Sequence, residues 1–475
     1  RLAGPGRGKT IRFAVSGACG LLALGSKENA ATLPLFVALY EWFFFQDLSL
    51  AWVRDNARKL ALAGAAGAVL AVVYLAGAGW ANMVQDYEQH GFTMVQRVMT
   101  EWRVVVLYLS LFVFPHPSRL SVAHDIPLSH GLVTPPSTLA AALFLLALFA
   151  GAVALARRER FLSFAVLWLL GNLVVESSVI GLDLVFEHRM YLPMALLPPA
   201  AAVFLFRWVP KKTVAAAFLC VLIAVFGAWT IQRNAVWKSA EALWTDAVQK
   251  APGLAVPHNN LAAAYYNQGR YALAAEQYNQ TLALDPDNLL ALYNLGVLYH
   301  QAGRPDLAAD CLQKALAVQP GYMDALNELG VVYLDAGLLD KAEDTFRRAL
   351  AINPDSAPAY ANLGVVLMRM GRVKDAVQAE FEAIQIDPEY VDAQVNMAVT
   401  LIAWGRPADA EKHLRKALEI DPGNIRAKKN LGFLLLAHLG RPREAADLFL
   451  EILEADPGNR DALFGLKQVE KVTAG

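Results

Sequence analysis

The chain has 475 residues, 56% of them hydrophobic and 18% charged, with a net charge of −1. A soluble domain is charged at nearer a quarter of its positions, so a single soluble globule is excluded, and so is a disordered chain. Near-neutrality, with no basic run beyond a few residues, gives no pull toward nucleic acid.

The conflict between length and charge resolves near Thr230. Up to that point the chain holds 18 Lys and Arg against 12 Asp and Glu, roughly 13% charged; beyond it the counts are 24 against 31, roughly 22%. Two segments suited to different solvents are joined, a transmembrane domain over 1–230 and a water-soluble part after it. The fold class expected is all-α: a polytopic transmembrane helical bundle followed by an α-solenoid.

Residues 13–45 are apolar except around Ser26, Lys27, Glu28 and Asn29. As one helix they would run about 50 Å, too long for a bilayer core, so two spans meeting at Lys27-Glu28 are expected. Apolar runs at 60–80, 138–155, 161–180, 190–206 and 213–230 bring the number of spans to seven. Residues 98–114 carry Glu101 and Arg103 and read as an interfacial or re-entrant helix.

Lys and Arg in short loops set the orientation. With Arg1, Arg7, Lys9 and Arg12 in the cytoplasm, the loops holding Arg54, Arg58, Lys59, then Arg157, Arg158, Arg160, then Arg207, Lys211, Lys212 also fall inside. Lys27, Arg97, Arg103, Arg119 and Arg189 fall outside. The chain then leaves the membrane on the non-cytoplasmic side. A bacterial inner membrane is expected in preference to the endoplasmic reticulum.

Residues 231–254 read as an amphipathic docking helix, with Trp229, Trp237 and Trp244 suited to an interface. From Ala255 a 34-residue period takes over. Leu-Gly or a variant recurs at Leu261, Leu295, Leu329, Leu363, Met397 and Leu431, and a turn glycine at Gly269, Gly303, Gly337, Gly371, Gly405 and Gly440. Small residues (Ala274, Ala308, Ala342, Ala376, Ala410, Ala445) and closing prolines from Pro286 to Pro457 keep the same period. This resembles the tetratricopeptide repeat, in six copies over 255–459 with a capping helix at 460–475. Glu380 stands where the fourth copy should have an aromatic residue.

Asn260, Asn294, Asn362, Asn396 and Asn430 share one repeat position, broken only by Glu328. An amide offers both donor and acceptor, so such a column can hold the backbone of an extended polypeptide without reading its sequence. It can equally satisfy neighbouring groups within the helix stack.

Three polar blocks fall on the outer side of the membrane half: Lys27-Glu28; the loop from Pro115 with His116, Arg119, His124, Asp125 and His130; and Glu187, His188, Arg189, Tyr191. Cations there suit a phosphate or pyrophosphate. Cys19, Cys220 and Cys311 have no metal-ligand spacing and read as small buried hydrophobes.

SKENAATLPLFVALYEW, PHPSRLSVAHDIPLS, ESSVIGLDLVFEHRMYLP and VWKSAEALWTDAVQKAP before the repeats resemble the transmembrane-and-tetratricopeptide-repeat O-mannosyltransferase family and its bacterial relatives, within the C-type membrane glycosyltransferases. The resemblance implies sugar transfer from a polyprenyl-phosphate donor to protein hydroxyls. On that basis Lys27, Glu28, Arg119, Glu187, His188, Arg189 and Tyr191 are the candidates for binding the lipid phosphate, and Asp125 is the remaining carboxylate candidate. The family's acidic catalytic loop precedes Arg1, so the chain is expected to be the latter part of a longer enzyme and inactive alone. The competing expectation is a non-catalytic membrane-anchored scaffold that assembles envelope proteins.

Overall fold

The computed structural model describes residues 32–74, 92–176 and 190–474. Among them every regular element is a helix. The chain divides into two compact units, Arg1–Pro257 and His258–Gly475.

The first unit contains α1 (Leu33–Phe44), α2 (Leu50–Asp55), α3 (Ala57–Tyr74), α4 (Met94–Val113), α5 (Ser137–Leu155), α6 (Arg160–Glu176), α7 (Tyr191–Met194), α8 (Leu197–Trp208), α9 (Lys212–Asn234) and α10 (Ala240–Lys250). Three stretches of the described residues are long and apolar enough to cross a membrane: Ser137–Leu155, Tyr191–Trp208 and Lys212–Lys238. That is fewer than the seven spans expected. α1 has 12 residues, about 18 Å of helix, and the apolar helix from Arg160 has its side chains described only to Leu173, while residues 13–31, 75–80 and 177–180 of the expected spans lie outside the described residues. The turn expected at Lys27-Glu28 lies outside the described residues. On α5 and α9, Leu146 and Ile223 stand 63% and 70% exposed, a pattern that suits lipid on the outside of a helix that is apolar all round.

Residues 98–113 are helical. They belong to α4, a 20-residue helix started by a capping box in which Thr93 and Gln96 bond each other's backbone. Val104, Val105 and Tyr108 of α4 pack with Leu169 and Leu173 of α6. Cys311 is buried as expected, whereas Cys220 is exposed on α9.

The repeats run as helix pairs: α11 (Ala255–Asn267) with α12 (Tyr271–Leu284), α13 (Leu289–Gln301) with α14 (Pro305–Val318), α15 (Met323–Asp335) with α16 (Leu339–Ile352), α17 (Ala357–Arg369) with α18 (Val373–Ile386), α19 (Val391–Ala403) with α20 (Pro407–Ile420), and α21 (Ile425–Ala437) with α22 (Pro442–Ala455), closed by α23 (Arg460–Ala474). The turn glycines adopt positive φ, as at Gly337 (73°), which stops the first helix of each pair without the steric cost a side chain would meet. The recurring alanines are fully buried between the two helices. A knob of the second helix then seats on a glycine of the first: a Cβ on Gly330 would come within 2.5 Å of the Phe346 ring. From α13 onward, successive first helices touch one another while successive second helices barely meet among the described residues. The first helices therefore form the tighter, inner side of the stack.

Candidate functional site

The inner side carries the amide column, but its members do different things. Asn294 hydrogen-bonds the hydroxyl of Tyr278, a buried phenol whose pKa is pushed up to about 12, first by burial and then by Tyr266. Asn396 is buried and accepts from Arg426, which also reaches Asp392 at 3.2 Å. Asn260, Asn362 and Asn430 are half-buried and, among the described residues, find no hydrogen-bond partner. Those three amides remain available to a ligand.

Glu328 breaks the column for a visible reason. His300 of the preceding repeat bridges it, with Nδ1 2.7 Å from Glu328 Oε1 and Nε2 3.2 Å from Asp335 Oδ2. Beside this bridge the rings of Tyr293 and Tyr322 meet edge-on at 5.4 Å. Burial, followed by Asp324 and Glu328, pushes the Tyr293 phenol up to about 12, so it remains a neutral donor. The Oδ1 atoms of Asn259 and Asn327 are buried without a partner among the described residues. The surface thus combines unpaired amides, phenols and carboxylates, groups that can hydrogen-bond a polypeptide.

In the first unit the candidate residues do not converge among the described residues. Arg119 donates to the carbonyl oxygens of Ser110 and Phe114, both at 3.1 Å, and to Ser110 Oγ at 2.6 Å. Its guanidinium fastens the carboxyl end of α4, where a cation is favoured. Asp125 is exposed on the following loop, and its carboxylate sits 2.7 Å from where a Cβ on Gly253 would lie. Tyr191 is 82% exposed. No hydrogen bond or ion pair joins Arg119, Asp125 and Tyr191. Lys27, Glu28, Glu187, His188 and Arg189 lie outside the described residues.

Two features escaped the sequence reading. Arg97 and Glu101 form an ion pair at 3.1 Å with both side chains essentially buried. Their i, i+4 spacing on a largely apolar helix was the available signal. Lys250 donates to the carbonyl oxygens of Pro117 (2.8 Å) and Leu120 (2.7 Å) and pairs with Asp246, which also holds Arg233 at 2.7 Å. This clamps α10 to the loop after α4. No local pattern announces it, because the partners are some 130 residues apart.

Family models described as tetratricopeptide repeats match residues 253–321, 301–357, 345–378, 367–429 and 402–469. The C-terminal part is a tetratricopeptide-repeat array. Similar solved structures include MamA, 28% identical over 34% of this chain and 95% of that one, with a TM-score of 0.32. YrrB, described as a TPR protein with an unusual peptide-binding site, is 26% identical over 40% of this chain and 97% of its own, with a TM-score of 0.34. A tetratricopeptide repeat protein from Parabacteroides merdae is 20% identical over 49% of this chain and 91% of its own, with a TM-score of 0.43. No curated protein matches the chain. The O-mannosyltransferase resemblance gains no support from these matches, which bear on the repeat array.

Proposed function

We propose that this chain is a membrane-anchored tetratricopeptide-repeat scaffold whose inner face holds an extended segment of a partner protein. The observation that carries the reading is the half-buried, unpaired state of Asn260, Asn362 and Asn430, the last two on first helices that meet their neighbours directly. Amides so placed can donate to and accept from a peptide backbone while apolar neighbours exclude water. The apolar helices of the first unit serve as the anchor. The Lys and Arg bias of the short loops supports an array on the non-cytoplasmic side, and we take the membrane to be a bacterial inner membrane.

The test is fluorescence polarisation of a labelled pool of unstructured peptides against the full chain in detergent. Asn362→Ala combined with Asn430→Ala is expected to weaken binding about tenfold while leaving the unfolding midpoint in place. Unchanged affinity in that double variant removes the column from the binding surface.

A second reading, transfer of sugar from a polyprenyl phosphate, draws on the sequence blocks around Lys27, Arg119 and Arg189 and on the buried Arg97–Glu101 pair. A plain anchor has no use for a buried ion pair on an apolar helix. Under this reading Arg189→Ala lowers sugar transfer by the full-length enzyme at least about a hundredfold. Wild-type rates in that variant dismiss it.

A further inference from the structure

Two adjoining recesses in the first unit have no role in either reading. One is an apolar slot of about 580 Å³ among α1, α5 and α6, lined by Leu39, Trp42, Leu48, Phe149, Val153 and Leu170. The other, about 380 Å³, lies where α5 gives way to α6 beside the end of α8, and holds Arg157, Arg158, Arg160 and Arg207. Arg157 lines both.

The arginines are not balanced. Glu159 is buried, and its two oxygens take Arg207 Nη1 at 3.3 Å and Trp208 Nε1 at 3.1 Å. Arg160 pairs with Asp47. Arg158 has no carboxylate partner among the described residues; its guanidinium lies 5.2 Å over the Trp208 ring. Arg157 is exposed and finds no partner among the described residues. Two guanidinium groups therefore stay uncompensated among the described residues, Arg157 at the apolar slot and Arg158 in the recess that adjoins it.

The backbone is strained at the same place. Asp47 and Leu48 adopt φ of 53° and 55°, a conformation that disfavours side chains. The turn they form brings Asp47 to Arg160 and buries Leu48 in the wall of the slot. Strain maintained against its cost is a mark of a working site.

A free anion suits the arginine recess but leaves the slot empty, and a neutral hydrocarbon suits the slot but leaves the arginines unpaired. One molecule with both parts is an anionic phospholipid. Two helices apolar enough to span, α5 and the 191–208 segment, end here, with Trp208 and Phe204 in the position of an interfacial belt. We propose that this composite site binds one anionic phospholipid, its phosphate on Arg157 and Arg158 and one acyl chain in the slot. The inference rests on the reading that the first unit lies in a membrane. Orientation alone accounts for arginines in a short loop, but it requires no slot beside them and no Trp208 ring, itself held by buried Glu159, under Arg158.

The test is native mass spectrometry of the full chain in neutral detergent, titrated with phosphatidylglycerol or phosphatidylcholine. The wild type is expected to retain phosphatidylglycerol about tenfold better. Arg157→Gln with Arg158→Gln brings it down to the phosphatidylcholine level, and Ala154→Trp, which fills the slot from an exposed position, weakens both lipids. Equal retention of the two lipids by the wild type, or an unchanged preference in the double variant, overturns the site. Displacement of phosphatidylglycerol by millimolar inorganic phosphate alone overturns the lipid in favour of a free anion. Alkaline carbonate extraction checks the membrane reading separately: release of the chain overturns that reading, and retention without a lipid preference overturns only the site.

Discussion

Replacing Glu380 by leucine is expected to stabilise the repeat array by about 2 kcal/mol at neutral pH and to remove most of its pH dependence. Glu380 occupies the knob position filled by Tyr278, Leu312, Phe346, Leu414 and Phe449 in the other repeats. It is fully buried against Gly364, where a Cβ would come within 2.5 Å of its Cγ. Oε1 accepts from Thr400 Oγ1 at 2.9 Å, and Oε2 has no partner among the described residues. Burial pushes the carboxyl up to about 8, against smaller opposing effects of Thr400 and Arg426. Arg426 is already engaged by Asp392 and Asn396. On the neighbouring α20, burial holds His413 below the usual imidazole range, so it adds no charge near pH 8.

Because the folded state holds this proton more tightly than the unfolded chain, the stabilisation is complete below about pH 4.5. It is lost as pH rises toward 8, by up to about 1.4 kcal/mol per unit. Thermal unfolding by circular dichroism at pH 5 and pH 8 reads this directly. Glu380→Gln keeps an acceptor for Thr400, cannot ionise, and is expected to flatten the profile as leucine does. Equal midpoint shifts between the two pH values for wild type and both variants would sink the argument.

Glu380 also marks where sequence ended and tertiary structure began. The 34-residue period exposed it as a departure, since the positions around it repeat so regularly. The glycine turns, buried alanines and closing cap were legible for the same reason: each is set by local geometry that recurs in every copy. The amide column looked equally regular, yet its members have different fates. Asn396 is taken by Arg426 and Asn294 by Tyr278, and neither partner lies at a position that repeats as the same residue. Identity along a column cannot reveal what faces it across the stack.

In the first unit, hydropathy found the apolar stretches but not how much helix each forms. Charge type found Arg119 but not its role, because a guanidinium fastening carbonyl oxygens looks, in one dimension, the same as one awaiting a phosphate. Arg97 and Glu101 are each visible in the sequence as charges, but not as a buried pair. A buried ion pair one helical turn apart is a pattern that a search for convergent blocks passes over.

Phe346→Ala is expected to cost about 3–5 kcal/mol, and its position makes that loss more consequential than its size. The ring is fully buried on Gly330 in a cluster with Leu312, Leu329, Ala342 and Val366, which joins the second, third and fourth repeats. A solenoid is held by nearest-neighbour interfaces, so weakening a central one uncouples the segments on either side. Phe449→Ala removes the same ring at the far end, where it sits between Gly432 and Gly465 of the closing helix, and deletes a comparable volume. That variant loosens the sixth repeat and α23 and leaves the rest coupled. Hydrogen exchange should therefore show the central variant losing protection on both sides of repeat three, and the terminal one losing it only beyond about residue 425. Uniform loss of protection across the array in both variants would mean that it folds as one cooperative block, and the nearest-neighbour account would fail.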